Sequence, residues 1–164
     1  MPTFAEHNRT VKPSTTNKMS NQTAVQQEAA KMQGEGKKIL TLILKQKYFD
    51  AIMAGRKVQE FREIRPSTIK KFVQLDSEGY DIEDEYGNAL PVHYDAILFY
   101  VGYNKDRDSA LVEVKDAHTE VFVDENDEII EFEVDGGYWQ ASQVVYDLGR
   151  IIATDIHRHG TKKA

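Results

Sequence analysis

The chain has no cysteine in 164 residues. That excludes disulfides, thiolate metal sites and cysteine nucleophiles together. No apolar run approaches the roughly 20 residues that a membrane helix needs. The opening stretch, MPTFAEHNRTVKPSTTNKMSNQ, holds no apolar core of the signal-peptide kind. These absences lead to the expectation of a cytoplasmic protein. Basic charge is also short, with 21 Lys and Arg against 27 Asp and Glu and a net charge of −6. Such a balance argues against bulk nucleic-acid binding, which prefers basic proteins.

The deficit is unevenly spread. Residues 1–38 carry six basic and three acidic side chains, and residues 39–75 carry eight and three. Residues 76–135 hold nineteen acidic and three basic side chains, and residues 136–164 hold two and four. The positive potential therefore lies in the first 75 residues and at the C-terminus. The acidic stretch is either a solvated face or a surface that selects what approaches. At this length a core forms without staples.

The expected organisation is a flexible N-terminal tail over residues 1–37, one domain over 38–156 and a polar C-terminal tail over 157–164. The tail is rich in Ser, Thr, Asn, Gln and Lys and poor in large aliphatics, which cannot offset the entropy of ordering. Within it, QTAVQQEAAKMQ holds good helix formers and suits a transient or docked helix.

Ile39 to Leu44 reads as a buried strand. Phe49, Ile52 and Met53 share one helical face, and Gly55 stands where a left-handed cap belongs. Residues 56–64 alternate as a strand, with Glu60 and Arg62 on one face. A short helix is expected after Ser67. Strands are expected near 94–101, 109–123, 129–134 and 143–156, with turns at Tyr86-Gly87-Asn88 and 124–127, a chain break at Gly136-Gly137 and a bulge at Gly149. No internal repeat is apparent. The sum is an α+β domain of about six mixed or antiparallel strands, curled into a small β-barrel, with one or two short helices. An open sheet with helices on one face is the alternative.

The densest polar cluster is Gly55-Arg56-Lys57-Val58-Gln59-Glu60-Phe61-Arg62. Lys57 has the wrong parity for the Glu60 and Arg62 face. It joins them only by lying in the turn, before the strand is regular. Arg offers a planar fork for phosphate or a base edge, and Lys a point charge that can serve as acid or base. Glu60 can orient either or accept from an exocyclic amine. The bland alternative is an edge strand that uses Lys and Arg to prevent aggregation.

Gly55-x-Lys57-x-x-Glu60-x-Arg62 resembles the G-x-K-x-x-E-x-R signature of ASCH domains, a branch of the PUA-like superfamily. The strand–helix–strand context agrees, as do Tyr94 to Val101, Ala110 to Val114 and Leu148-Gly149, so the resemblance spans about 38–156. It implies a PUA-like barrel whose cleft is lined by the motif and a link to RNA metabolism. Members include proposed RNA-binding regulators, a ribonuclease and amidohydrolases acting on N4-acetylcytidine. The amidohydrolases carry threonines where Val58 and Glu60 stand here, so deacetylation is not expected.

The leading expectation is a module that binds a short single-stranded RNA or a modified nucleoside. Lys57 and Glu60 are its candidate catalytic groups should it turn over. Arg62, Arg56, Tyr100, Tyr103, Asn104 and Trp139 are its candidate ligand contacts. Tyr100 suits the core at least as well, and Trp139 suits a buried structural place better. A ribonuclease-like or nucleoside hydrolase with Lys57 as acid–base is the second reading, and its second group would be Tyr48, Tyr100, Tyr103 or Ser109. A protein-interaction module, using residues 1–37 or the acidic 76–135 surface, is the third. No metal or cofactor is implied. His157-Arg158-His159 is only a weak metal cue, and the acidic tracts lack the glycine and terminal glutamate of an EF-hand.

Overall fold

The computed structural model describes residues 22–157. The fold is α+β, with a mixed five-stranded sheet and a separate two-stranded one. In chain order the elements are α1 (Ala24–Gly34), β1 (Ile39–Leu44), α2 (Gln46–Met53), β2 (Gln59–Ile64), α3 (Ile69–Phe72), β3 (Ala96–Val101), β4 (Ser109–Val121), β5 (Glu131–Val134), β6 (Gly137–Gln140) and β7 (Ser142–Asp155). The large sheet runs β1-β3-β4-β7-β2, parallel only between β1 and β3. Among the described residues no helix is long and apolar enough to cross a membrane.

The sheet bends because its two longest strands slip against each other. The β4–β7 register shifts between Leu111 and Asp116, where Val112 faces Ile151 and Val114 faces Leu148. Extra residues in a ladder bend the strand and raise its twist. Gly149 sits at this bend as expected, and a Cβ there would run into the Glu113 carboxylate and the Lys115 stem. One half of β4 carries β3 and through it β1, while one half of β7 carries β2. The bend thus turns the two edge strands, β1 and β2, toward each other. They are not joined by a ladder. The Arg62 guanidinium spans the gap and donates to the Ile43 carbonyl at 2.9 Å.

The concave side holds the main core. Leu40, Leu42 and Leu44 point inward from β1, and Phe49 and Ile52 from α2. They meet Ile97 and Phe99 of β3, Val112 of β4 and Val144, Tyr146 and Leu148 of β7. Burying an aliphatic or Phe side chain of this kind contributes roughly 1.5–3 kcal/mol.

A second core covers the convex side and corrects the tail expectation. Residues 22–37 are not a free linker, because α1 packs Val25 and Ala29 against Ala96, Leu98, Tyr100 and Leu111. Thr23 and Gln26 form a capping box, and Asp155 accepts from the Val25 N–H at 3.1 Å. Val25, Ala29 and Met32 recur at helical spacing, and that weak stripe finds an apolar sheet face to bury against. Residues 1–21 and 158–164, the rest of the expected tails, lie outside the described residues.

The acidic stretch folds into hairpins built on one repeated turn. Asp76, Asp84 and Asp124 each accept, through Oδ1, from the N–H groups two and four residues on, at 2.8 and 3.0 Å. The residue three places on has a positive φ in every case: Gly79 at 90°, Gly87 at 84° and Asp127 at 62°. The bridges Leu75 with Asp81, Glu83 with Ala89 and Val123 with Ile129 follow the same offset. The repeat escapes the sequence because only the first and fourth positions are constrained, and the fourth tolerates Gly or Asp. Gly136-Gly137 does not break the chain either. Asp135 (φ 51°) and Gly136 (φ 79°) form the tight turn between β5 and β6. Ser67 does not cap α3, whose N-cap is Thr68 without a side-chain bond.

Candidate functional site

The site begins at the end of α2. Gly55 adopts φ 78°, the left-handed conformation that glycine enters without strain. Its N–H reaches the Ile52 carbonyl at 3.1 Å, while the Arg56 N–H reaches the Ala51 carbonyl at 2.9 Å. This pair of bonds is a Schellman cap. The Lys57 N–H also reaches Ala51, at 3.1 Å. The chain is therefore pinned through Lys57, and β2 starts only at Gln59.

That delay lets three charges meet. Glu60 is 3 % exposed and lies opposite Tyr146 in the β2–β7 ladder, on the concave face. Its Oε1 is 3.2 Å from Lys57 Nζ, and its Oε2 accepts from Arg62 Nε at 2.7 Å. The Lys57 ammonium lies over two rings, 5.7 Å from the Tyr48 centroid and 5.2 Å from that of Phe61. Both distances fall within cation–π range. One buried carboxylate thus fixes two cations, and its four lone-pair sites are not exhausted by one hydrogen bond and one ion pair.

The backbone contribution comes from the free edge of β1. Successive strand residues direct their carbonyls to opposite sides. Leu44 faces β3 and accepts from the Gly102 N–H, so the Ile43 carbonyl faces the gap and meets Arg62. Around this point lies a cleft of about 390 Å³ lined by Ile43, Lys45, Tyr48, Lys57, Glu60, Phe61 and Arg62. A neighbouring hollow of about 630 Å³ shares Ile43, Leu44, Lys45 and Arg62 with it. The two form one seam between the sheet edges, with Arg62 across its middle.

Beneath the seam, Tyr146 is fully buried and its hydroxyl has no hydrogen-bond partner among the described residues. Burial and the nearby Tyr94 push its ionisation well above the ordinary tyrosine range, and Arg62 opposes them. The group is a neutral phenol set behind the charged trio.

No protein-family model, no curated protein and no solved structure matches this chain. The chemistry is therefore read from the seam itself.

The expected site residues fall in different places. Lys57, Glu60 and Arg62 come together, and Tyr103 lines the larger hollow. Arg56 is exposed past the turn and does not line the cleft. Tyr100 lies on the convex side, buried under α1, where its hydroxyl accepts from Gln26 and its ring stacks 3.7 Å from Arg107. Asn104 and Ser109 line a small hollow on that same side. Trp139 sits on β6, facing a separate hollow in the hairpin lobe. Their separation has one cause: the sheet has two faces, and residues close in sequence can serve either. Sequence reasoning missed Phe61, Lys45, Lys71 and the Ile43 carbonyl. Phe61 has outward parity, yet at a bare sheet edge an outward ring still flanks the cleft. A backbone carbonyl carries no sequence signal at all. Among the described residues, no group of His, Asp or Glu side chains has a metal-holding arrangement.

Proposed function

We propose that this chain is an ASCH-type, PUA-like module, a barrel left open along one seam, that binds a short single-stranded RNA or a modified nucleoside there. One observation carries the reading: a buried carboxylate holds an ammonium and a guanidinium in place beside two half-exposed aromatic rings, within an open cleft. Tyr48 and Phe61, 43 % and 45 % exposed, are rings on which a base can stack by displacing the lysine ammonium groups that lie over them, Lys57 on both and Lys47 on Tyr48. Glu60 can accept from an exocyclic amine, and Arg62 keeps donors beyond the two it uses for Glu60 and Ile43. The fixed trio limits the reorganisation that binding would otherwise require.

A hydrolase is the second reading, favoured by the Lys57–Glu60 contact at the cleft wall. Lys57 would then be the acid–base group.

The test compares the wild type with Lys57→Ala on labelled single-stranded RNA and a panel of modified nucleosides. Saturable binding without product, lost in the variant, is the expected result. Product formation that the variant lacks selects the hydrolase. Absence of both binding and turnover in the wild type overturns the reading.

A further inference from the structure

The two halves of the seam differ in chemistry, and the difference specifies the ligand more narrowly. The smaller cleft has the rings, the acceptor Glu60 and Lys57. The larger hollow is lined by Lys45, Arg62 and Lys71, with no Asp or Glu among its lining residues. Gln46 and the 84 % exposed Tyr103 complete its polar rim. In a chain of net charge −6, a hollow lined by three cations and no carboxylate, with only Arg62 paired, to Glu60 behind it, is a local reversal of sign. A cleft edged by one sign of charge concentrates the opposite ion. Arg62 belongs to both halves, and Glu60 and the Ile43 carbonyl hold it across the divide.

Resting on the functional reading above, we infer that the seam takes a phosphorylated ligand, a nucleotide or the end of an RNA strand, rather than a bare nucleoside. The base occupies the aromatic half. The phosphate crosses Arg62 and lies toward Lys71 and Lys45 in the cationic half. Each half has the volume of a small-ligand site, which runs from about 300 to 1,000 Å³. Lys71 and Lys45 are exposed, so neither has a role in the core. Lys71 belongs to α3 and Lys45 precedes α2, so two separate elements supply the cationic wall. Four of the eight basic residues in 39–75, Lys45, Lys57, Arg62 and Lys71, line the seam.

The experiment measures binding of the four common nucleosides, their 5′- and 3′-monophosphates, a ten-nucleotide single-stranded RNA and inorganic phosphate. It uses the wild type, Lys71→Gln, Lys45→Gln and, as a control on α1, Lys31→Gln. Phosphorylated ligands should bind the wild type at least tenfold more tightly than the matching nucleosides. Each seam variant should remove about tenfold of that gain, the low end for a charge-assisted bond. It should also lower the salt slope for the RNA by about 0.7, the increment of one phosphate contact on a single strand. Inorganic phosphate should compete with the monophosphates at high concentration. The control should match the wild type. Equal binding of nucleosides and nucleotides, or equal losses for both in Lys71→Gln, overturns this inference and leaves the functional reading intact. Failure of every nucleoside, nucleotide and RNA to bind the wild type overturns both.

Discussion

Glu60 in the seam and Asp84 in the hairpin lobe are both carboxylates that hold two partners. Glu60 is buried, accepts a hydrogen bond from Arg62 and is ion-paired with Lys57. Asp84 takes its bonds from the backbone N–H groups of Tyr86 and Asn88, in its own turn. The Asp84 arrangement is local, so it recurs unchanged at Asp76 and Asp124 wherever a turn allows it. The Glu60 arrangement needs β7 behind it and β1 across from it, so among the described residues it occurs at one place. A charge that only closes a turn can be repeated cheaply. A charge that positions other charges must be buried, and its loss is felt well beyond its neighbours in sequence.

The largest expected effect therefore falls on Glu60. Glu60→Ala leaves two cations in the seam without their shared partner, which destabilises by about 3 kcal/mol, the low end for a broken buried pair because both cations keep some solvent. Urea unfolding should show the loss, while Glu125→Ala in the third turn stays within about 0.5 kcal/mol of the wild type. Equal midpoints for the two variants would erase the contrast between the seam and the turns.

Next come the turns. Asp76→Ala, Asp84→Ala and Asp124→Ala each remove an oxygen that accepts two N–H bonds and should each cost about 1 kcal/mol. Near-equal values support a common geometry, and a spread wider than about 1 kcal/mol would mean that packing, not the turn, sets them.

Tyr146→Phe is expected to reverse sign. Removing a buried hydroxyl that lacks a partner should raise stability by about 1 kcal/mol. The raised ionisation adds a pH signature. Below the ordinary tyrosine value of 10.0 the phenol is neutral in both states. Above it the unfolded chain ionises first, so stability falls as pH rises. Tyr146→Phe should flatten that alkaline limb, and an unchanged slope between pH 9 and 11 would count against the burial argument.

The smallest effect belongs to Asp95, the partly exposed residue just before β3. Its carboxylate accepts from the Lys38 N–H at 2.9 Å, and this bond, then His93, holds it below the usual carboxylate range. Its contribution is present above the ordinary value of 3.8 and fades as pH falls through the lowered one. Asp95→Asn should lose part of the acid limb of the stability curve while the midpoint near pH 7 moves slightly.

Much of the fold was legible in residue order. Ile39 to Leu44 is a strand with the expected bounds, because an apolar run ended by Lys45 has few other uses. The helix before Gly55 was legible from the Phe49, Ile52 and Met53 face, and the bulge from Gly149. The α1 helix was only half legible, since its stripe of one Val and two small or flexible residues is weak without the sheet that receives it. The β5–β6 hairpin was missed because Asp135-Gly136-Gly137 signals a turn and an interruption equally well.

Within the site, order alone determined that the three charged side chains of the trio can reach one another. A left-handed cap at Gly55, a two-residue delay and strand alternation place Lys57, Glu60 and Arg62 together by local geometry. The tertiary structure decided what that trio faces. The bend in β4 and β7 brings β1 opposite β2, buries Glu60, turns the Ile43 carbonyl toward Arg62 and adds Lys45 and Lys71 to one side. It also sends Tyr100 and Asn104 to the other face and Trp139 to the lobe. Parity along a strand is a short-range property, whereas the closeness of two sheet edges depends on how the whole sheet twists.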